Sequence, residues 1–194
     1  LFWFFDLHGH NVLAPVMDGI YGVALNENTA IYEATKDIAQ LPWTWTRGSF
    51  DAYAQMGGSG VTLGLIIAIF LLSKREDHKT IAKLAAPMGV FNINEPLVFG
   101  VPIVLNPIML IPFIITPLLL TTITYLAMTS GIVPLTNGIN LPWTMPPIIS
   151  GFILSGWQGA ALQVGLIALS FGIYYPFFKV QDNKAYAIEI GEEE

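Results

Sequence analysis

Asn92-Ile93-Asn94-Glu95-Pro96 opens the stretch NINEPLVFGVPIVLNP, residues 92–107, on which the reading of the fold turns. Glu95 is the last ionisable residue before a long apolar region. From Pro96 to Phe178 there is no Asp, Glu, Lys, Arg or His. A charge at the mouth of such a run is costly to place, and ionisable residues inside membranes are usually functional. Prolines flank this polar cluster. Polar groups beside helix breakers are what a membrane binding site made from discontinuous helices requires.

The composition around that stretch agrees with a bilayer as solvent. Apolar residues make up 54% of the 194 and charged residues 11%, against about 25% charged in a typical soluble domain. Mean hydropathy is +0.60. The 12 Phe, 5 Trp and 7 Tyr suit interfacial belts or a surface on which a sugar ring stacks. Cysteine is absent, which excludes disulfides, thiolate metal sites and cysteine nucleophiles. The net charge of −6 owes much to the tail Glu192-Glu193-Glu194, and no basic patch points to nucleic acid. The chain opens inside an apolar run, LFWFF, with no initiator Met and no signal-peptide features. It is expected to be the C-terminal part of a longer permease.

Outward from the motif, the pattern predicts an all-α, polytopic membrane protein whose helices are kinked at proline and paired in re-entrant hairpins. Residues 1–5 read as the end of a transmembrane helix, followed by Asp6-Leu7-His8-Gly9-His10-Asn11. Ala30 to Ala39 reads as a short amphipathic helix capped by Asn28. Trp43 and Trp45 are expected at headgroup level, with Arg47 reaching water. Residues 51–73 read as a span, free of charge from Ala52 to Ser73, with small residues at Gly57, Gly58, Gly60 and Gly64 that favour close helix packing in lipid. Lys74, Arg75, Lys79 and Lys83 form the densest basic cluster, which the positive-inside rule places in the cytoplasm.

Beyond it, 81–105 reads as a re-entrant hairpin with the Asn-Ile-Asn-Glu-Pro turn at its tip. Residues 108–129 make a second span and 157–178 a third, with about 134–156 irregular or re-entrant between them. Two crossings return the chain to the side of Lys74, where Lys179 and Lys184 mark 179–194 as a cytoplasmic tail. Pro-Trp-Thr recurs at 42–44 and 142–144, too short a match to define a repeat.

The polar residues suit a neutral polyol. Amides and carboxylates bind paired hydroxyls, and an aromatic plane takes the C–H face of a ring. Asn92, Asn94 and Glu95 offer the first kind of group, and Trp143 or Phe91 the second. Glu95 as an anion would accept strong hydroxyl hydrogen bonds. Glu95 or His8 could also draw off a hydroxyl proton. Asp6, Asp18 and Asp51 are too scattered in sequence for a metal site, and the glycines of 57–64 lack the strand-to-helix context of a nucleotide fingerprint. No cofactor or metal is implied.

These residues carry a family resemblance. FNINEPLVFGVPIVLNP at 91–107 closely resembles the signature of membrane enzyme IIC components of the bacterial phosphoenolpyruvate-dependent sugar phosphotransferase system, in the lactose, cellobiose and diacetylchitobiose branch. FWFFDLHGHNV at 2–12 and LPWTMPPIISGF at 141–152, with Gln163 after it, resemble two further segments of that family. The resemblance implies a multi-pass permease of the bacterial inner membrane with a cytoplasmic C-terminus, homodimeric through an N-terminal half not present here. It implies a disaccharide substrate carried by an elevator-like movement. The C6 hydroxyl would then be phosphorylated by a phosphocysteine on the partner enzyme IIB, this chain being not itself phosphorylated.

Position by position, His8 and Glu95 match the pair at the reacting hydroxyl. Asn94 matches a hydrogen-bonding neighbour of the glutamate, Trp143 the aromatic platform, and Asn92 a further member of the motif. The segment reads Asp-Leu-His-Gly-His where Gly-Ile-His-Gly is expected, which leaves His8 or His10 as the sugar-facing histidine, His8 being the one followed by Gly9. Two other readings use the same residues: an ion-coupled secondary transporter with Glu95 as its coupling site, and a non-transporting structural or sensor subunit.

Overall fold

The computed structural model describes residues 2–5, 7–101 and 103–191; Leu1, Asp6, Pro102 and the acidic tail Glu192 to Glu194 lie outside them. Among the described residues all regular structure is helical. Helix α1 (Gly9–Met17) runs through one π-helical turn (Asp18–Gly22) into α2 (Val23–Thr35), which stops where Lys36 turns left-handed at φ 55°. Asn28 is not a cap. It lies inside α2, buried, and its amide clasps the turn below it: Nδ2 donates to the Trp43 carbonyl at 2.8 Å and Oδ1 accepts from the Trp43 N–H at 3.2 Å.

Helix α3 (Arg47–Tyr53) starts at a capping box in which Thr46 and Ser49 satisfy each other's backbone N–H. The single helix expected over 51–73 is two. After α3 the chain unwinds, and α4 begins only at Leu63 (Leu63–Leu72). Gly57, Gly58 and Gly60 sit at φ of 81°, 90° and 81°, a region open to glycine and strained for residues with a Cβ. Exposed backbone in a low-dielectric interior needs partners, and side chains supply them. Tyr174 Oη donates to the Gly60 carbonyl at 2.8 Å, Ser170 Oγ to Val61 at 2.7 Å, and Asn94 Nδ2 to Ser59 at 2.7 Å.

Helix α5 (Glu76–Gly89) leads through a tight turn to the short α6 (Glu95–Gly100), whose first turn carries Pro96. Pro at that position costs no hydrogen bond and pre-sets φ. Helix α7 (Pro107–Thr129) is capped by Asn106, whose side chain accepts from the N–H groups of Ile108 and Met109; Pro112 and Pro117 lie within it. The last element, α8 (Ile149–Ile190), contains a break at Ser155 and Gly156. The break falls at glycine with φ 68°, and Pro176 sits inside the helix further on.

Helices α7 and α8 are each long and apolar enough to cross a membrane. Within their apolar windows only 33% and 28% of residues are buried, so Leu118, Leu126, Val164 and their neighbours face outward. A soluble protein would hide such surfaces; lipid accepts them. Two clusters hold the bundle together. One joins Leu65 and Ile69 of α4, Ala82 and Ala85 of α5, Leu97 and Val98 of α6, Phe113 of α7, and Tyr174 and Phe178 of α8. The other joins Tyr53, Met56, Leu120, Leu154 and Leu166. Because lipid tails are as apolar as these side chains, close backbone approach and hydrogen bonds carry more of the association than in water. Gly64 shows the approach: a Cβ there would meet the Phe171 backbone nitrogen of α8 at 2.3 Å.

Candidate functional site

Three segments distant in sequence meet at one place: the entry to α1, the turn between α5 and α6, and the irregular loop before α8. His8 caps α1, its Nδ1 accepting from the Asn11 N–H at 3.4 Å. With Nδ1 an acceptor, Nε2 carries the proton and donates to Glu95 Oε1 at 2.9 Å, across 87 residues of sequence. The two side chains keep 35% and 40% of their surface exposed, so a ligand can reach both. Glu95 opens α6, where a carboxylate is favoured by the helix dipole.

His10 lies one residue beyond Gly9 and has another partner. Its ring centroid is 6.4 Å from that of His8 and 6.2 Å from Trp143, while its Nε2 accepts from Arg47 Nη2 at 2.9 Å. Burial first, and the Arg47 guanidinium second, hold the His10 imidazole below its ordinary value of 6.5. His8, then, is the histidine paired with Glu95, and His10 stands between His8 and Trp143.

Arg47 does not reach water as expected. Its side chain is 13% exposed. Nε donates to both oxygens of Asp51 at 3.1 Å, and Nη1 to Asp18 at 2.9 Å. Gln55 Nε2 adds a 3.1 Å bond to Asp51. Asp18 and Asp51, scattered in sequence, converge on one cation. The signal available in the sequence was the spacing of Arg47, Asp51 and Gln55, four residues apart each time, which lines up one helix face.

Asn92 and Asn94 are 5% and 3% exposed. The Asn94 amide donates to Ser59 and, at 3.1 Å, to Thr62 Oγ1. Asn92 donates to the carbonyls of Trp143 and Met145 and accepts from the Gly57 N–H. Each NH₂ thus has both hydrogens engaged within the protein, which leaves the amide oxygens as the groups that could accept from a ligand hydroxyl. Trp143 is 46% exposed, with its ring open to the side of His10.

Gln163 was noted in the sequence only as following the Pro-Trp-Thr segment, and its work is now visible. Fully buried in α8, it accepts from Ile148 and Gly151 N–H at 2.6 and 2.9 Å and donates to the Ala52 carbonyl at 2.7 Å and Ser150 Oγ at 3.0 Å. It anchors the end of the Trp143 loop, where Ile148 is held at φ 73°. A cavity of about 520 Å³ is lined by His10 together with Gln55, Ser59, Trp45, Phe50 and Phe113. Its lining is mostly apolar and includes none of His8, Glu95 or Trp143, so it adjoins the polar cluster only through Gly9, His10 and Ser59. Among the described residues no group of three acidic or histidine side chains converges as a metal site.

Comparison with known proteins places this geometry in context. Residues 1–117 match the family model described as "Phosphotransferase system, EIIC". The lichenan permease IIC component of Bacillus subtilis (strain 168) is 44% identical over 186 residues, covering 95% of this chain and 40% of that protein. The cellobiose-specific EIIC component of Geobacillus stearothermophilus is 41% identical over 191 residues, covering 97% of this chain and 42% of that one. Among solved structures, the transporter ChbC, the IIC component of an N,N'-diacetylchitobiose-specific phosphotransferase system, superposes with a TM-score of 0.92 at 39% identity, over 97% of this chain and 44% of that one. The chain thus spans about 40% of the length of the curated relatives it matches.

Proposed function

Since the chain belongs to the phosphotransferase system EIIC family, we propose that it is the sugar-handling part of a permease that binds a disaccharide of the cellobiose, diacetylchitobiose or lactose class, carries it across the bacterial inner membrane and presents its C6 hydroxyl to phosphorylated enzyme IIB. The observation that carries this reading is the His8–Glu95 pair, drawn together at 2.9 Å beside Trp143 in a chain otherwise without charge from Pro96 to Phe178.

The roles follow from the groups. Glu95 accepts the hydrogen of the reacting hydroxyl, and His8, donating to the other carboxylate oxygen, keeps that carboxylate aimed. When the hydroxyl oxygen attacks phosphorus, the sulfur–phosphorus bond of the phosphocysteine breaks, the thiolate leaves with the bonding pair, and the hydroxyl proton passes to Glu95. The chain has no cysteine of its own to carry the phosphate. Trp143 stacks on the C–H face of one sugar ring. Asn94, next to Glu95, ties the turn that carries the carboxylate to Ser59 and Thr62 of the unwound segment.

The α5–α6 pair over 81–105, and the loop with the first turns of α8 over about 134–156, act as re-entrant hairpins around this site, with bends at Pro112 and Pro117 in α7. The basic residues at 74–83 and 179–184 face the cytoplasm. The dimer contact lies in the part of the relatives that this chain does not match.

The test uses the complete permease in membrane vesicles, with labelled cellobiose, diacetylchitobiose or lactose, with and without phosphorylated IIB. Phosphosugar inside the vesicles only when phospho-IIB is present, and its loss of at least about a hundredfold in Glu95→Gln, is the expected result. Free sugar that accumulates and follows the proton gradient would instead make Glu95 an ion-coupling residue and sink the phosphotransfer reading.

A further inference from the structure

Asn92 sits at the tip of the α5–α6 turn in a left-handed conformation, φ 64°, which asparagine tolerates better than most residues. Its side chain bridges two elements. Nδ2 donates to the Trp143 carbonyl at 2.7 Å and to Met145 at 3.1 Å, and Oδ1 accepts from the Gly57 N–H at 3.0 Å. Both amide hydrogens are therefore engaged with the backbone of the loop that carries the indole, and the residue is 5% exposed. Three positions later the same turn delivers Glu95 to His8 at 2.9 Å. The turn that carries the carboxylate is thus hydrogen-bonded to the loop that carries the aromatic platform through this amide.

We propose that Asn92 is a positioning residue: it fixes Trp143 relative to Glu95, and so sets sugar affinity through the indole without touching the sugar. The inference rests on the sugar-site reading given above and adds a division of labour within the motif. Glu95 works on the hydroxyl, while Asn92 holds the two halves of the site in register. A bridge of this kind acts on ground-state binding more than on the chemical step. Its loss raises KM and leaves kcat nearly intact.

A double-mutant cycle on sugar binding tests it, with the complete permease, phospho-IIB and labelled cellobiose. Asn92→Gly removes the bridge and keeps the left-handed backbone comfortable. It is expected to raise KM about tenfold, the scale of one or two buried carbonyls left without donors, with kcat within about threefold of wild type. Combined with Trp143→Ala it should add nothing, because the indole it positions is gone. Should Asn92→Gly fail to accumulate in membranes, the isosteric Asn92→Asp enters the same cycle: it keeps an acceptor for Gly57 and breaks the bridge by setting a carboxylate oxygen against the Trp143 and Met145 carbonyls. Effects that multiply in the double mutant, or a loss confined to kcat, would overturn the positioning role. A wild-type protein that yields no phosphosugar from any of the three disaccharides would sink the site reading itself, a separate failure.

Discussion

His10 and Arg47 meet at 2.9 Å, and that contact has a pH dependence. Burial, then the Arg47 cation, and His8 beside it, all disfavour protonation of His10, while Asp18 and Gln55 oppose them. The folded protein binds fewer protons here than the unfolded chain does. The stability that depends on neutral His10 is therefore whole above the unfolded value of 6.5 and is lost as pH falls from there through the lower folded value. Purified permease should show a falling Tm from pH 7 to pH 5, and His10→Gln, which cannot protonate, should flatten part of that fall. An identical Tm–pH slope in the two proteins would show that other groups set it. Glu95 was legible in the sequence because a lone carboxylate beside a long uncharged run has few structural uses. The choice between His8 and His10 was not, since both flank Gly9 and either can reach a turn that lies far away in sequence.

At the level of elements, the irregular segments matter more than the helices. The 54–62 segment and the 130–148 loop expose backbone inside the bundle, and each is repaired by a few buried side chains. Gln163 is the clearest repair, with four hydrogen bonds from one amide. In Gln163→Leu, the N–H groups of Ile148 and Gly151 and the Ala52 carbonyl lose their partner. At about 1–3 kcal/mol for each unsatisfied buried group, a net destabilisation of at least about 2 kcal/mol is expected. Gln163→Glu keeps the acceptor for the two N–H groups and should lie between. Thermal unfolding in detergent measures both; a Leu variant as stable as wild type would mean that water replaces the amide. The glycine cluster at 57–60 signalled small residues for helix packing. That it unwinds the helix instead depends on Asn92, Asn94, Ser170 and Tyr174 arriving from elsewhere to bind the opened backbone.

Across the whole molecule, the end of the bundle that carries most of the lysines is closed by a buried clamp. Asp182 of α8 accepts from Ser73 Oγ at 2.6 Å and from the Lys74 N–H at 2.8 Å, and pairs with His78 Nδ1 at 2.8 Å. The side chains of His78 and Asp182 are 4% and 2% exposed. Arg75 reaches across to the Ala185 carbonyl at 3.1 Å. These bonds tie the α4–α5 corner to the far end of α8, about 25 residues or some 38 Å along the helix from its break at Gly156. Removing one partner of a buried pair costs about 3–5 kcal/mol, so Asp182→Ala should lower Tm strongly and raise hydrogen exchange in the last turns of α8. Because the pair is buried, added salt should leave the difference between the two proteins unchanged. Exchange unchanged in the variant would show that apolar packing alone, through Phe178 and Tyr174, holds that end.

Composition and the absence of charge over more than eighty residues determined the solvent class of this protein, and the motifs determined its family, because transfer free energy and local backbone preference are read residue by residue. Tertiary structure alone decided which histidine meets Glu95, that Asp18 reaches Arg47, and that the two motif asparagines bind backbone. Those outcomes hang on hydrogen bonds between groups 29 to 87 residues apart. Such partners are chosen by how the helices pack, and no local pattern in the chain encodes that choice.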